Sequence, residues 1–110
     1  MLNGGVHAPN LLDFQEFMVA PVGAPSMAEA VRAGAEVYSA LRRALSGRKL
    51  STGLGDEGGF GPEVTKPEEV LRLLVQAISD AGYKACRSRL TWPHRSSASR
   101  TAATGWPATC

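Results

Sequence analysis

Two adjacent carboxylates inside a glycine-rich segment are the residues of this chain best suited to chemistry. Asp56 and Glu57 lie in the run Leu54–Glu63, which also contains four glycines. Glycine permits positive φ and lets another group approach the backbone closely, so a carboxylate on such a turn can be aimed at a substrate. The run follows a short apolar segment and precedes a helix start, a junction where α/β enzymes place catalytic groups. An ordinary acidic surface turn is the alternative, and spacing alone favours it.

Two strands and two helices are expected to position this turn. We predict one strand over Gln15–Val22, which should stop near Pro21, and a second over Leu50–Leu54. The order strand, helix, strand, helix is typical of α/β folds with parallel strands. Because two strands and two helices can neither close a barrel nor cover both faces of a sheet, the sequence predicts an incomplete domain.

Both helices carry boundary signals. The first should begin after an N-cap at Ser26, with a glutamate three residues later in a capping box, and should end at Gly47. The second should begin at Thr65, again with a glutamate three residues on, and should end at Gly82. Gly34 lies inside the first helix, and we expect a close contact between helix and sheet to explain it.

The composition changes abruptly at Lys84. All ten acidic residues lie between Asp13 and Asp80, whereas four arginines, both cysteines and both tryptophans follow Lys84. No helical or strand period is visible there, so we predict a domain over 1–84 and a disordered basic tail over 85–110. One hypothesis makes the chain a small non-catalytic binding module whose tail takes nucleic acid. Another is a frameshift, since a GC-rich gene read in another frame yields such a composition.

The sequence offers no sign of export or of a membrane segment. The N-terminus lacks the charged region and apolar core of a secretory signal, and no apolar stretch is long enough to cross a bilayer. Cys86 and Cys110 have neither metal-site spacing nor the pattern of a disulfide framework. We therefore expect a cytoplasmic protein with no membrane partner.

Four motifs occur in an order that belongs to a known family. They are Asn3–Ala8, Gln15–Met18, Pro21–Ala24 and Gly55–Pro62, and together they closely resemble enolase (phosphopyruvate hydratase) as far as Lys84. Each motif alone is weak, but four in order are highly specific. The resemblance implies an α/β fold that is a partial (β/α) barrel, the opening segment of the family's C-terminal barrel domain. It also implies a homodimer, as in the family.

The resemblance implies a reaction and assigns residues to it. Enolases reversibly dehydrate 2-phosphoglycerate to phosphoenolpyruvate in glycolysis, with Mg²⁺ ions stabilising the enolate. Glu57 matches the family's proton donor, and Glu16 matches the second carboxylate, which assists departure of the hydroxyl. His7 and Gln15 match substrate-contacting positions. Because hydroxide leaves poorly, a positioned carboxylic acid should lower the barrier, and two facing carboxylates should raise the pKa of one of them.

This sequence also departs from the family's pattern. The family's three magnesium-binding carboxylates and its lysine base lie beyond the equivalent of Lys84, where this sequence has no acid at all. The phosphate-binding arginine and serine and the N-terminal domain are likewise unmatched. We therefore assign no metal ligand, and we expect the chain alone to be catalytically inactive and to bind no Mg²⁺ tightly. A nucleic-acid partner is not expected on this reading.

Overall fold

The computed structural model describes residues 1–5, 8–84 and 87–91. Two helices and three strands make up this part of the chain, which is of the α/β class: β1 (Leu2–Asn3), β2 (Glu16–Ala20), α1 (Met27–Gly47), α2 (Pro67–Asp80) and β3 (Arg87–Thr91). The strands form one sheet in the order β1-β2-β3. These elements do not form a closed barrel.

The sheet is antiparallel throughout, so the prediction of parallel strands is wrong for these three. Leu2 pairs with Phe17 and Asn3 with Glu16 between β1 and β2, and β3 runs antiparallel along the whole of β2. β2 confirms the core of the predicted first strand and ends directly before Pro21, which has no N–H to offer a ladder.

The second predicted strand, Leu50–Leu54, is wrong except for one isolated bridge between Leu54 and Phe60. Leu50 is used instead to close the end of α1, where its N–H donates to the carbonyl of Leu45 at 3.0 Å. Of the apolar residues that indicated a strand, Leu50 therefore closes the end of α1, and Leu54 pairs with Phe60 across the acidic turn.

The start of α1 is where the sequence places it. The Ser26 hydroxyl accepts a hydrogen bond from the N–H of Glu29 at 3.2 Å, which confirms the predicted N-cap. The end differs slightly, because Gly47 is the last helical residue and Lys49 takes the left-handed conformation with φ 57°. The N–H of Lys49 donates to Ser46, which satisfies one of the last carbonyls of the helix.

The start of α2 differs from the prediction, and its end agrees. Lys66 is the N-cap residue and makes no side-chain cap, so the predicted cap at Thr65 is wrong. Pro67 occupies the first turn, and since it has no N–H, the helix start has one donor fewer to satisfy. Gly82 has φ 85° directly after the cap of α2, which agrees with the predicted terminator.

The core lies between the two helices and the face of the sheet that carries Leu2 and Phe17. Both of these side chains are fully buried. The other members of the same cluster come from the buried stripes of the helices and from the loops: Leu12, Val37, Ala40, Leu41, Leu45, Phe60, Val64, Val70, Leu73, Leu74, Ala77 and Ile78. The helical stripes recur at three- and four-residue intervals, which is the spacing that faces one side of a helix.

A polar network joins the end of α2 to the exposed side of α1. The Tyr83 hydroxyl donates to Glu36, which also receives the Arg32 guanidinium at 2.9 Å. The hydrogen bond from Tyr83, and to a smaller extent the one from Arg32, lower the pKa of the Glu36 carboxyl. The hydrogen bond to Glu36 also raises the pKa of the Tyr83 hydroxyl. This network lies away from the carboxylates predicted to act on a substrate.

Five residues of the predicted disordered tail are ordered in β3, which extends over Arg87–Thr91 and pairs with β2. The pattern Arg-Ser-Arg carries no apolar alternation, so local periodicity does not predict a strand there. The other tail residues on which the nucleic-acid hypothesis depends, 85–86 and 92–110, lie outside the described residues. The boundary at Lys84 stays a prediction.

The expected close contact at Gly34 is wrong. A Cβ built on Gly34 would meet nothing within 4 Å, so no packing reason for glycine exists there among the described residues. Gly4 is the opposite case, because a Cβ there would lie 2.4 Å from the carbonyl oxygen of Phe14 and 2.7 Å from the Cβ of Leu12.

This contrast yields a stability prediction. Gly34→Ala should raise the free energy of unfolding by about 1 kcal/mol, since alanine is the better helix former and has room. Gly4→Ala should lower it by roughly 1–3 kcal/mol, because backbone atoms cannot move aside easily. Urea unfolding followed by far-UV circular dichroism measures both, and equal effects of the two variants would contradict the packing described here.

Candidate active site

The acidic segment forms a tight turn with its two carboxylates at the tip. The N–H of Gly58 donates to the carbonyl of Gly55 at 3.1 Å, and the N–H of Gly55 donates to Gly59 at 2.7 Å. Asp56 and Glu57 are therefore the central residues, and both are exposed. Gly58 follows in the left-handed region with φ 75°, as expected of a turn closed by a glycine bulge. The predicted turn is thus present, and its glycine at 58 has a conformational reason.

The turn is attached to the free edge of β1. The N–H of Phe60 donates to the carbonyl of Met1, and the N–H of Asn3 donates to the carbonyl of Phe60, both at 2.9 Å. Leu2 and Phe60 form a parallel bridge through these bonds. The segment that follows Glu57 therefore acts as one more short strand beside β1.

The other edge of β1 carries the second predicted carboxylate. Glu16 is the register partner of Asn3, and the N–H of Gly4 donates to the carbonyl of Gln15 at 3.0 Å. Directly opposed residues in an antiparallel pair share a face, so Glu16 and Asn3 lie on the same side of the sheet. Neighbouring strands lie about 5 Å apart, so the backbones of Glu16 and Phe60 are separated by about 10 Å.

The structure therefore brings three of the four predicted site residues to one short strand. Gln15 and Glu16 lie along one edge of β1, and the turn bearing Glu57 is attached to the other. His7, the fourth, lies outside the described residues. The catalytic and binding roles of all four remain predictions.

The side-chain amide of Asn3, in β1, is buried against Gly59 of the turn segment. Asn3 is only 3% exposed, and its Oδ1 has no hydrogen-bond partner among the described residues. A Cβ on Gly59 would lie 2.1 Å from that oxygen, so only glycine permits the observed approach. The Asn10 side chain braces the same region by donating to the carbonyls of Asn3 and Pro62, at 2.9 and 3.2 Å.

A tyrosine from α1 contacts the turn, and the sequence analysis missed its role. The Tyr38 hydroxyl donates to the carbonyl of Gly58 at 2.9 Å. Its ring stacks on Phe60 with centroids 4.4 Å apart and an interplanar angle of 21°. Helical periodicity places Tyr38 next to the buried stripe of α1, but no local pattern could reveal a bond to a residue twenty positions away.

The negative charge of Glu16 acts on the α-ammonium group of Met1, which directly precedes β1. Burial lowers the pKa of the Met1 α-ammonium, and the negative charge of Glu16 partly opposes that shift. Glu16 is itself half-buried, whereas Glu57 lies on an exposed turn.

The described residues do not provide a magnesium site. Over residues 1–5, 8–84 and 87–91, no group of three or more His, Cys, Asp or Glu side chains is placed to hold a metal ion. Mg²⁺ prefers octahedral oxygen ligation with one or two carboxylates, and the exposed Asp56 and Glu57 pair lacks further acidic neighbours of that kind. The donor set of this part of the chain therefore does not fit the ion.

Comparison with known proteins assigns the class. Two packed helices beside a sheet, with an acidic turn attached to the edge of β1, belong to the α/β class. A family model described as the enolase C-terminal TIM barrel domain matches residues 1–98. The chain belongs to the enolase family, and the resemblance of the four motifs is thereby confirmed. No helix in the described part of the chain has the length and apolar character needed to span a membrane.

The contact between Asn3 and Gly59 yields a second stability prediction. Gly59→Ala should lower the free energy of unfolding by roughly 1–3 kcal/mol, because the new methyl group would overlap the buried amide. Asn3→Ala in the same chain should recover part of this loss, giving a coupling energy above about 0.5 kcal/mol in a double-mutant cycle.

Urea unfolding of the four proteins measures that coupling. Gly47→Ala is a matched control, since a Cβ there would meet nothing within 4 Å. Strictly additive effects of the Asn3 and Gly59 substitutions would show that the two residues are not in contact.

Proposed function

We propose that this chain carries the acid side of an enolase-type lyase, which reversibly dehydrates 2-phosphoglycerate to phosphoenolpyruvate in glycolysis. Family membership supports the reaction class. The observation that carries the proposal is the attachment of Glu16 and of the Glu57 turn to opposite edges of β1. Two carboxylates held by one sheet in this way suit a reaction that needs a proton delivered to a departing oxygen.

In this proposal, each residue has one task. After a base has removed the C2 proton of the substrate, Glu57 in its protonated form gives its proton to the C3 hydroxyl; the C3–O bond breaks, water leaves, and the electron pair at C2 forms the double bond. Glu16 assists that departure. Gln15 and His7 contact the substrate and hold it in register with the two acids. The exposed tip of the turn leaves Glu57 accessible to a small molecule.

The magnesium ions of the family are not part of what this chain is proposed to supply. Their ligand set is not assembled by the described residues, and the sequence has no acid after Asp80. We therefore propose that the chain by itself does not turn over substrate. A cytoplasmic location and a homodimeric partner follow the family's pattern and are proposed on that ground alone.

The first prediction from this proposal concerns the isolated chain. The purified chain, given 2-phosphoglycerate and Mg²⁺, should form no phosphoenolpyruvate above background in a coupled assay, because residues 1–5, 8–84 and 87–91 assemble no ligand set for the metal. An intact enolase in the same assay is the positive control. Steady product formation by the chain, lost on Glu57→Gln, would contradict the proposed inactivity.

The second prediction tests the role of Glu57 where turnover can be measured. Residues 1–84 should replace the matching segment of an active enolase with activity retained. In that hybrid, Glu57→Gln should lower kcat by about 10²–10⁴-fold, since an amide cannot act as a general acid.

Glu63→Gln provides the matched control for that hybrid, because Glu63 is an exposed carboxylate just beyond the same turn. This control should leave kcat unchanged. Equal rates for the Glu57 and Glu63 variants would refute the assignment of Glu57 as proton donor.

A further inference from the structure

We propose that Tyr38 is a positioning residue that holds the Glu57 turn at the edge of the sheet. Its catalytic meaning rests on the proposed function, but the contact itself does not. The hydroxyl of Tyr38 bonds the backbone carbonyl of Gly58, the residue that follows Glu57, so its effect on Glu57 passes through that backbone. The proposal extends the site from β1 and its two edges to the helix behind them.

Tyr38 contacts the chain at two points after Glu57, Gly58 and Phe60. The hydroxyl donates to the carbonyl of Gly58 at 2.9 Å, which sets the orientation of the peptide group between Gly58 and Gly59. The ring stacks on Phe60, which is 1% exposed and is hydrogen-bonded to both Met1 and Asn3. Helix and strand therefore hold the same short segment from two sides.

The turn needs such support because of its own composition. Gly58 has φ 75° and no side chain, so its backbone can leave the observed conformation with little steric resistance. A displacement of about 1 Å at a catalytic group can cost 10²-fold in rate. Tyr38 is well placed to prevent it, because it sits beside Val37 and Leu41, which are fully buried and anchor α1.

If Tyr38 has a purely structural role, a different result is expected. Removing only its hydroxyl distinguishes the structural role from the positioning role. If the residue only fills space, Tyr38→Phe keeps the stacked ring and should change little. If the hydroxyl positions the turn, removing it should loosen residues 55–59 while the helices stay as protected as before. A general loss of stability would instead speed exchange everywhere.

The test uses backbone amide exchange and NMR order parameters on the full 110-residue chain. Tyr38→Phe should speed exchange at Gly55 and Gly58 about 5-fold, the size expected for one lost hydrogen bond. The order parameter of Glu57 should also fall, while the amides of α1 and α2 keep their exchange rates. Tyr83→Phe is the matched control, since its hydroxyl bonds Glu36 and not the turn.

Rescue by a donor completes the test. Tyr38→4-aminophenylalanine keeps the ring and offers an N–H to the same carbonyl, so it should restore slow exchange at Gly55 and Gly58. The proposal is overturned if Tyr38→Phe leaves the turn unchanged, if it speeds exchange across both helices equally, or if the amino group restores nothing. None of these measurements uses substrate, so failure of the lyase proposal would not affect their outcome.

Discussion

The candidate site depends on a strand of two residues that is hydrogen-bonded along both edges. β1 receives Glu16 and Phe17 on one side and Phe60 on the other, and its Leu2 side chain is fully buried in the core. Phe17 and Phe60, which these bonds bring to the two sides of β1, are more than forty positions apart in the chain. Because β1 is hydrogen-bonded both to β2, which carries one carboxylate, and to the segment after the turn, which carries the other, it links the two carboxylates directly.

The remaining structure stabilises this arrangement from behind. The two helices pack on the face of the sheet that carries Leu2 and Phe17. Asn3 and Glu16, the next pair in the register, lie on the opposite face. Tyr38 extends the support of α1 to the turn through one hydrogen bond and one stacked ring. Burial of apolar side chains thus stabilises the helices against the sheet, and a small number of polar contacts connect these elements to the segment that carries the acidic residues.

Local signals in the sequence predicted what local physics decides. The Ser26 cap, the strand before Pro21 and the glycine turn around Glu57 all depend on residues within a few positions of one another. Predictions failed where distant partners decide the outcome. β3 pairs with the edge of β2 opposite β1, and both pairings are antiparallel. The contact of Tyr38 with Gly58 and the burial of Asn3 likewise required the folded chain.

The division of labour within the acidic turn has a consequence for how such a site can change. Its closing hydrogen bonds are made by the backbones of Gly55, Gly58 and Gly59, whereas the carboxylates occupy the two positions between them. The residues whose backbones close the turn are therefore different from the residues whose side chains could react. Substitution at Asp56 or Glu57 would exchange one functional group for another on an intact turn, but substitution at Gly58, which has φ 75°, or at Gly59, which lies against Asn3, would disturb the turn itself.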